Sequence, residues 1–119
     1  MQLKYDKSIR RKVITIELET TNFSTRENLA IKKFGEPVIK LEKMYGDFSV
    51  SVERRIKTGF KVRVRFDGTE DFEAAVSAAN QFFEEIQDLI RDELESLMDK
   101  LIEAEANFES GSGLVDITI

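Results

Sequence analysis

The 119-residue chain contains no cysteine, no histidine and no tryptophan, a single proline and six glycines. Without thiols or imidazoles there can be no disulfides, no thiolate or imidazole metal ligands, no cysteine nucleophile and no histidine acid–base chemistry. Ser24, Ser49 and Ser51 lack the base that a serine nucleophile needs. Lys and Asp alone give no recognisable pairing of nucleophile with base, so neither a catalytic residue nor enzyme activity is expected. The glycines at 35, 46, 59, 68, 111 and 113 are too scattered to cradle a phosphate, and no cofactor or metal motif accompanies them. No apolar run reaches membrane length, and Met1-Gln-Leu-Lys-Tyr-Asp6 carries charge with no apolar stretch behind it. A cytoplasmic protein is expected.

What the chain does have is charge, unevenly divided. Residues 1–68 hold 16 Lys/Arg against 9 Asp/Glu and residues 69–119 hold 2 against 14, so parts of net +7 and −12 share a chain of net −5. Opposite fields of this size imply that the basic part meets something anionic. The acidic part then keeps that partner in register or meets a different one. A composition 41% hydrophobic and 34% charged describes a globular chain, and 119 residues suffice for one domain, 1–119. Within it the pattern predicts a basic β body over 1–68, a long acidic helix over 69–109, and a hinge with a final strand over 110–119.

From Lys12 to Thr20, Ile14, Ile16 and Leu18 alternate with Thr15, Glu17 and Glu19 as in a half-buried strand, and residues 3–6 predict a short strand before it. Ser24-Thr-Arg-Glu27 is a capping box, in which the serine oxygen and the glutamate carboxylate each satisfy a free backbone N–H. Leu29, Ala30 and Phe34 follow at helical spacing, and Gly35 and Pro37 end the turn, which predicts a short helix over 25–34. A strand through Leu29, Ile31 and Lys33 is the competing reading. Val38–Tyr45 and Phe48–Ile56 predict two strands joined at Gly46-Asp47. In a further strand, Phe60–Phe66, the residues Phe60, Val62, Val64 and Phe66 face one way and Lys61, Arg63 and Arg65 the other.

Between Glu70 and Phe108 there is neither glycine nor proline and apolar residues recur every three or four positions, so one long helix capped by Thr69 is expected. Phe72, Ala75, Ala79, Phe82, Ile86 and Leu89 read as one stripe, and Phe83, Ile90, Leu94, Leu97, Leu101, Ala104 and Phe108 as a second. At 1.5 Å per residue the helix spans roughly 58 Å, against roughly 35 Å for a globule of this length. It must break near Asp92-Glu93, or project and pair with other subunits. Ile90, Leu94, Leu97, Leu101 and Phe108 are then the interface of a homo-oligomer, a dimer or tetramer. Gly111-Ser-Gly113 reads as a hinge, and Leu114–Ile119 as a strand returning to the sheet.

Cations gather near the start (Lys4, Lys7, Arg10, Arg11, Lys12), at a hairpin tip (Arg54, Arg55, Lys57) and on one strand face (Lys61, Arg63, Arg65). Successive outward positions on a strand lie about 6.6 Å apart, close to the phosphate repeat of an extended single strand, so the last ladder suits a nucleic acid backbone. The same residues would equally serve a solvated face whose charge guards a sheet edge. Phe48, Phe60 and Phe66 fall at core-facing positions, which leaves Tyr45 at a turn and Phe34 at a helix end as candidates for stacking on bases. Glu84, Asp88, Asp92, Glu95, Asp99 and Glu103 form an acidic helix face. Without the carbonyls and glycine turn of a cation loop this is a solvated surface, whose field would hold nucleic acid to the sheet.

A basic, mainly β body of about five strands with an added helix resembles a partly open five-stranded OB barrel. In size and acidic balance the whole chain resembles the small single-stranded DNA-binding proteins of phages, such as those of lactococcal siphophages. The fold class expected is α+β, mainly β: a five-stranded antiparallel OB-like barrel or curled sheet with one short helix, one long C-terminal helix and a last strand. The resemblance implies sequence-independent binding of single-stranded DNA in phage replication or recombination, in the host cytoplasm, with recombination proteins as further partners. Lys61, Arg63 and Arg65 would contact phosphates, Arg54, Arg55 and Lys57 would clamp the strand, and Tyr45 and Phe34 would stack. Two other functions stand beside this one: a structural or interaction protein built on the long helix, and an acidic inhibitor that mimics DNA.

Overall fold

Alternation and capping translate directly into elements. In the computed structural model, which describes the backbone of residues 1–118 and the side chains of residues 1–107, strands β1 (Gln2–Arg10) and β2 (Val13–Thr21) precede helix α1 (Thr25–Phe34). Strands β3 (Val38–Tyr45), β4 (Phe48–Arg55) and β5 (Lys61–Asp67) follow, and then helix α2 (Phe72–Thr118). All pairings are antiparallel, with β1-β2-β5 in one sheet and β3-β4 in another. The fold is α+β, with five strands in antiparallel sheets, one short helix and one long one, and the length of α2 gives helix more residues than strand, where a mainly β chain was expected. Among the described residues no ladder joins the two sheets, so the strands do not close into a barrel. Both sheets lie instead against α2.

The core is made by the alternating residues. Ile14, Ile16 and Leu18 of β2 face Phe66, Val64 and Val62 of β5 in register, and Ile39, Val50 and Val52 contribute from the β3-β4 hairpin. Onto them α2 lays Ala75, Ala79, Phe82, Ile86, Ile90 and Leu94. Burying each larger side chain contributes roughly 1.5–3 kcal/mol. Thr20, buried at the end of β2, donates its hydroxyl to the Ile56 carbonyl and so ties β2 to the β4–β5 connection.

Helix α1 starts as its capping box requires. The Glu27 N–H donates to Ser24 Oγ at 3.1 Å and the Ser24 N–H to Glu27 Oε1 at 2.9 Å. Gly35, at φ 88°, closes it by donating to the Ile31 carbonyl at 2.8 Å. The competing strand through Leu29–Lys33 is not formed.

Helix α2 departs from expectation in four respects. Its first turn is capped by Asp71, whose Oδ1 accepts from the Ala74 N–H at 3.0 Å, while Thr69 bonds Asp67 instead. It does not break at Asp92-Glu93: 47 residues in one helix reach about 70 Å at the standard rise, matching the molecule's long dimension of 74 Å. Nor does it carry two stripes. Ala75, Ala79, Phe82, Ile86, Ile90, Leu94, Leu97 and Leu101 are all buried along one continuous seam that advances about 3.7 residues per step and so winds slowly, by about 10° per step, about the axis. Ile90 and Leu94 belong to the main core, and Leu97 and Leu101 are covered by Ala30 and Ile31 of α1. The proposed subunit interface is therefore intramolecular at those four positions, while the Phe108 side chain lies outside the described residues. Finally, the helix continues through Gly111-Ser-Gly113 to Thr118, where a hinge and strand were expected. Each added helical residue gains a hydrogen bond within the helix, and the continuous run carries Leu114 about 20 Å past Leu101 along the axis.

The turn from β5 into α2 depends on close approach at Gly68. Its N–H donates to the Lys12 carbonyl at 2.9 Å, and a Cβ at this position would lie 2.8 Å from both Ala75 Cβ and Phe72 Cα. Gly68→Ala is expected to cost about 1–3 kcal/mol through this overlap. The shift in denaturant midpoint measures it.

Candidate nucleic-acid interface

Strand parity sorts the charges onto the face of the three-stranded sheet turned away from α2. That face carries Lys4, Asp6, Ser8 and Arg10 from β1, Thr15, Glu17 and Glu19 from β2, and Lys61, Arg63, Arg65 and Asp67 from β5. The register opposes Lys61 to Glu19, Arg63 to Glu17 and Arg65 to Thr15. The three cations of β5 thus share an exposed face as expected, yet they are not equivalent. Arg63 is ion-paired to Glu17, and Lys61 has Glu19 beside it, whereas Arg65 has a hydroxyl.

A cleft of about 480 Å³ opens at the Arg65 end, lined by Ser8, Arg10, Arg11, Val13, Thr15 and Arg65. Among the described residues, none of these three arginines makes an ion pair. Asp67 shares this face two residues along β5 from Arg65. The Thr69 hydroxyl and N–H, with a smaller contribution from the Arg65 charge, hold its carboxyl below the usual range, so it stays ionised. Three guanidinium groups around two hydroxyls offer many N–H and O–H donors and no acceptor of comparable strength.

The turn that presents Arg10 and Arg11 is unusual. Arg10 pairs with Val13, leaving a two-residue loop in which Arg11 (φ 52°) and Lys12 (φ 61°) both occupy the left-handed region. A tight turn of this kind favours Asn-Gly. Two long cationic side chains cost of order 1–3 kcal/mol each there, and such strain collects at functional sites.

The second basic set stands apart from this cleft. Arg54 and Arg55 end β4 and Lys57 follows, close in sequence to Lys61 at the other end of β5, about 13 Å from Arg65 along the strand. They are not at a hairpin tip, because β4 and β5 do not pair. Glu36 fixes this connection by accepting from the Lys57 and Thr58 N–H groups at 3.0 Å, and Lys57 Nζ donates to Asn28 Oδ1 at 2.5 Å. The arrangement is two basic ends separated by the Arg63–Glu17 pair.

Neither aromatic candidate joins them. Tyr45 is only 2% exposed, with its ring edge-on to Phe82 and its hydroxyl donating to Glu85 at 3.0 Å. Burial first, then the Glu85 hydrogen bond and charge, push the phenol pKa up. Tyr45 is a core residue and cannot stack on a base, because the last residue of β3 still points inward. Phe34 is 40% exposed at the end of α1, with Lys33 over its ring at 5.6 Å and α2 beside it, away from the sheet's outer face.

The helix carboxylates do not neutralise the cleft. Among the described residues, those paired with cations from elsewhere in the chain are Glu85, to Lys43 at 2.7 Å, and Glu105, to Arg26 at 2.9 Å. Glu84, Asp88, Asp92, Glu95, Asp99 and Glu103 are all exposed on α2, on the other side of the sheet from the arginines. Among the described residues, no helix is long and apolar enough to cross a membrane.

Ser8, Thr15 and the grouping of Arg10 and Arg11 with Arg65 escaped sequence reading. The available signal was the alternation of Leu3, Tyr5 and Ile9, which extends β1 to nine residues and closes a hairpin on β2. The chain matches no protein-family model, no curated protein and no solved structure.

Proposed function

We propose that the protein binds single-stranded DNA without sequence preference, gripping successive phosphates with Arg10, Arg11 and Arg65. The observation that carries this reading is the cleft at the β1–β2 turn, where three unpaired arginines meet two hydroxyls on a face turned away from the acidic helix. Lys12 adds a further cation at the turn, whereas Lys4 and Lys61 flank Glu19 farther along the sheet. Among the described residues no aromatic side chain lies on this face, so contacts run to the backbone and carry no base information. An OB-like closure is not needed for such contacts. Phage DNA replication or recombination is the setting that the resemblance implies for this activity.

Titrating a labelled oligo-dT at two salt concentrations tests it. Neutralising about three phosphates predicts a slope of about −2 in log affinity against log salt for a single strand. Absence of binding at low salt, or affinity indifferent to salt, would refute the proposal.

The strained turn supplies a sharper expectation. Replacing Arg11-Lys12 by Asn-Gly (R11N/K12G) should raise stability by about 1–2 kcal/mol, because the new residues suit left-handed backbone. The same variant should bind DNA more weakly. Thermal unfolding and the oligo-dT titration, run on one preparation, would show the two effects moving in opposite directions.

A further inference from the structure

We propose that β1 is the contact strand of a homodimer, in which two copies pair antiparallel with Tyr5 opposite Tyr5 and merge their three-stranded sheets into one of six strands. Strand β1 lies at a free edge, runs nine residues and is exposed at all of them but Leu3. The two-residue loop makes Arg10–Val13 a hydrogen-bonded pair. Hydrogen-bonded pairs then alternate along the hairpin, so the even-numbered residues of β1 bond to β2. Leu3, Tyr5, Lys7 and Ile9 therefore turn their N–H and C=O groups toward the open edge. On the α2 side of that edge Tyr5 is 57% and Ile9 55% exposed, with the Tyr5 ring 4.3 Å from that of Phe83 between centroids. A long edge with large exposed apolar side chains is a template for pairing.

Charge selects a second copy of this chain and fixes the register. Antiparallel pairing through this edge must set odd-numbered residues opposite odd-numbered ones, with the two-fold axis at Tyr5, Asp6 or Lys7. An axis at Asp6 brings two carboxylates face to face. One at Lys7 opposes Lys7 to itself and sets Lys4 against Arg10 twice. The axis at Tyr5 sets Lys4 opposite Asp6 twice, Gln2 opposite Ser8 and the two tyrosine rings together, with no like charges opposed. The self-complementary pattern Lys4-Tyr5-Asp6 is what an isologous contact requires.

Sedimentation equilibrium without nucleic acid tests this independently of any DNA binding. The unaltered chain is expected to show a concentration-dependent monomer–dimer equilibrium. Asp6→Lys replaces a like-charge pair within the hairpin by an opposite-charge one, because position 6 faces Glu17, so the hairpin itself is not weakened. Across the dimer it opposes the introduced lysine to Lys4 twice, which should weaken association about tenfold or more. Adding Lys4→Asp (K4D/D6K) restores attraction and should return the dimer. As the chain has no cysteine, Tyr5→Cys gives a unique thiol whose Cα lies about 5.5 Å from its symmetry mate, within disulfide reach. Mild oxidation should crosslink it far faster than Ser8→Cys. A wild-type chain monomeric at every concentration, or a dimer indifferent to Asp6→Lys, would overturn the proposal.

Discussion

Changing Arg10, Arg11 and Arg65 together to glutamate is expected to lower affinity for oligo-dT by about 100-fold or more at low salt while leaving the circular dichroism spectrum unchanged. On the proposed function each arginine would supply charge-assisted hydrogen bonds worth about 1.5–3 kcal/mol apiece, so three lost together exceed that factor. All three are exposed and outside the core, where substitutions cost about 0.5 kcal/mol or less in stability. The control is a second triple, Arg54, Arg55 and Lys57 to glutamate. It removes as much positive charge at the end of β4, in the other sheet, and in the connection that follows, where Lys57 is already engaged with Asn28, and should cost much less affinity. Arg63→Glu should also matter less than Arg65→Glu, because Glu17 already holds Arg63. Equal losses from the two triples would mean that total charge alone governs binding.

The largest stability effect should come from Phe82→Ala, at about 3–5 kcal/mol. Phe82 is fully buried where both sheets meet α2, with its ring centroid 6.0 Å from Tyr45 and 5.9 Å from Phe66. Removing it leaves a cavity lined by residues from β3, β5 and the helix, which cannot all relax inward at once. For a domain stable by about 5–15 kcal/mol this is a large fraction of the total. Urea denaturation would read the loss as a fall in midpoint with little change in slope.

Local chemistry was legible where it is self-contained. The Ser24–Glu27 capping box, the alternation of Ile14, Ile16 and Leu18, and the uninterrupted helical pattern after Glu70 each specify an element without reference to the rest of the chain, and each is formed. What depends on partners was not legible. Strand β1 was under-read because its turn, Arg11-Lys12, has no glycine or asparagine to announce it and because Lys7 sits among its apolar positions, where it reaches Asn80 at 3.0 Å. The single seam of α2 was divided in two because the position of α1 over Leu97 and Leu101 is a tertiary fact. Leu114–Ile119 has the composition of a strand, but β propensity yields to context, and the backbone continues α2 as far as Thr118. The same reason scattered the candidate site. Lys61, Arg63 and Arg65 were placed correctly on one exposed face, but only the register with β2 reveals that Glu17 and Glu19 stand beside two of them and that Arg10 and Arg11 come to the third.

The proposed binding of a polyanion at the arginine cleft is tested most directly by amide chemical-shift mapping. On adding oligo-dT to isotope-labelled protein, the perturbed amides should cluster at Ser8–Thr15 and around Arg65, with the exposed carboxylate face of α2 silent. Shifts concentrated along Glu84–Glu103, or none anywhere at saturating oligonucleotide, would contradict the account.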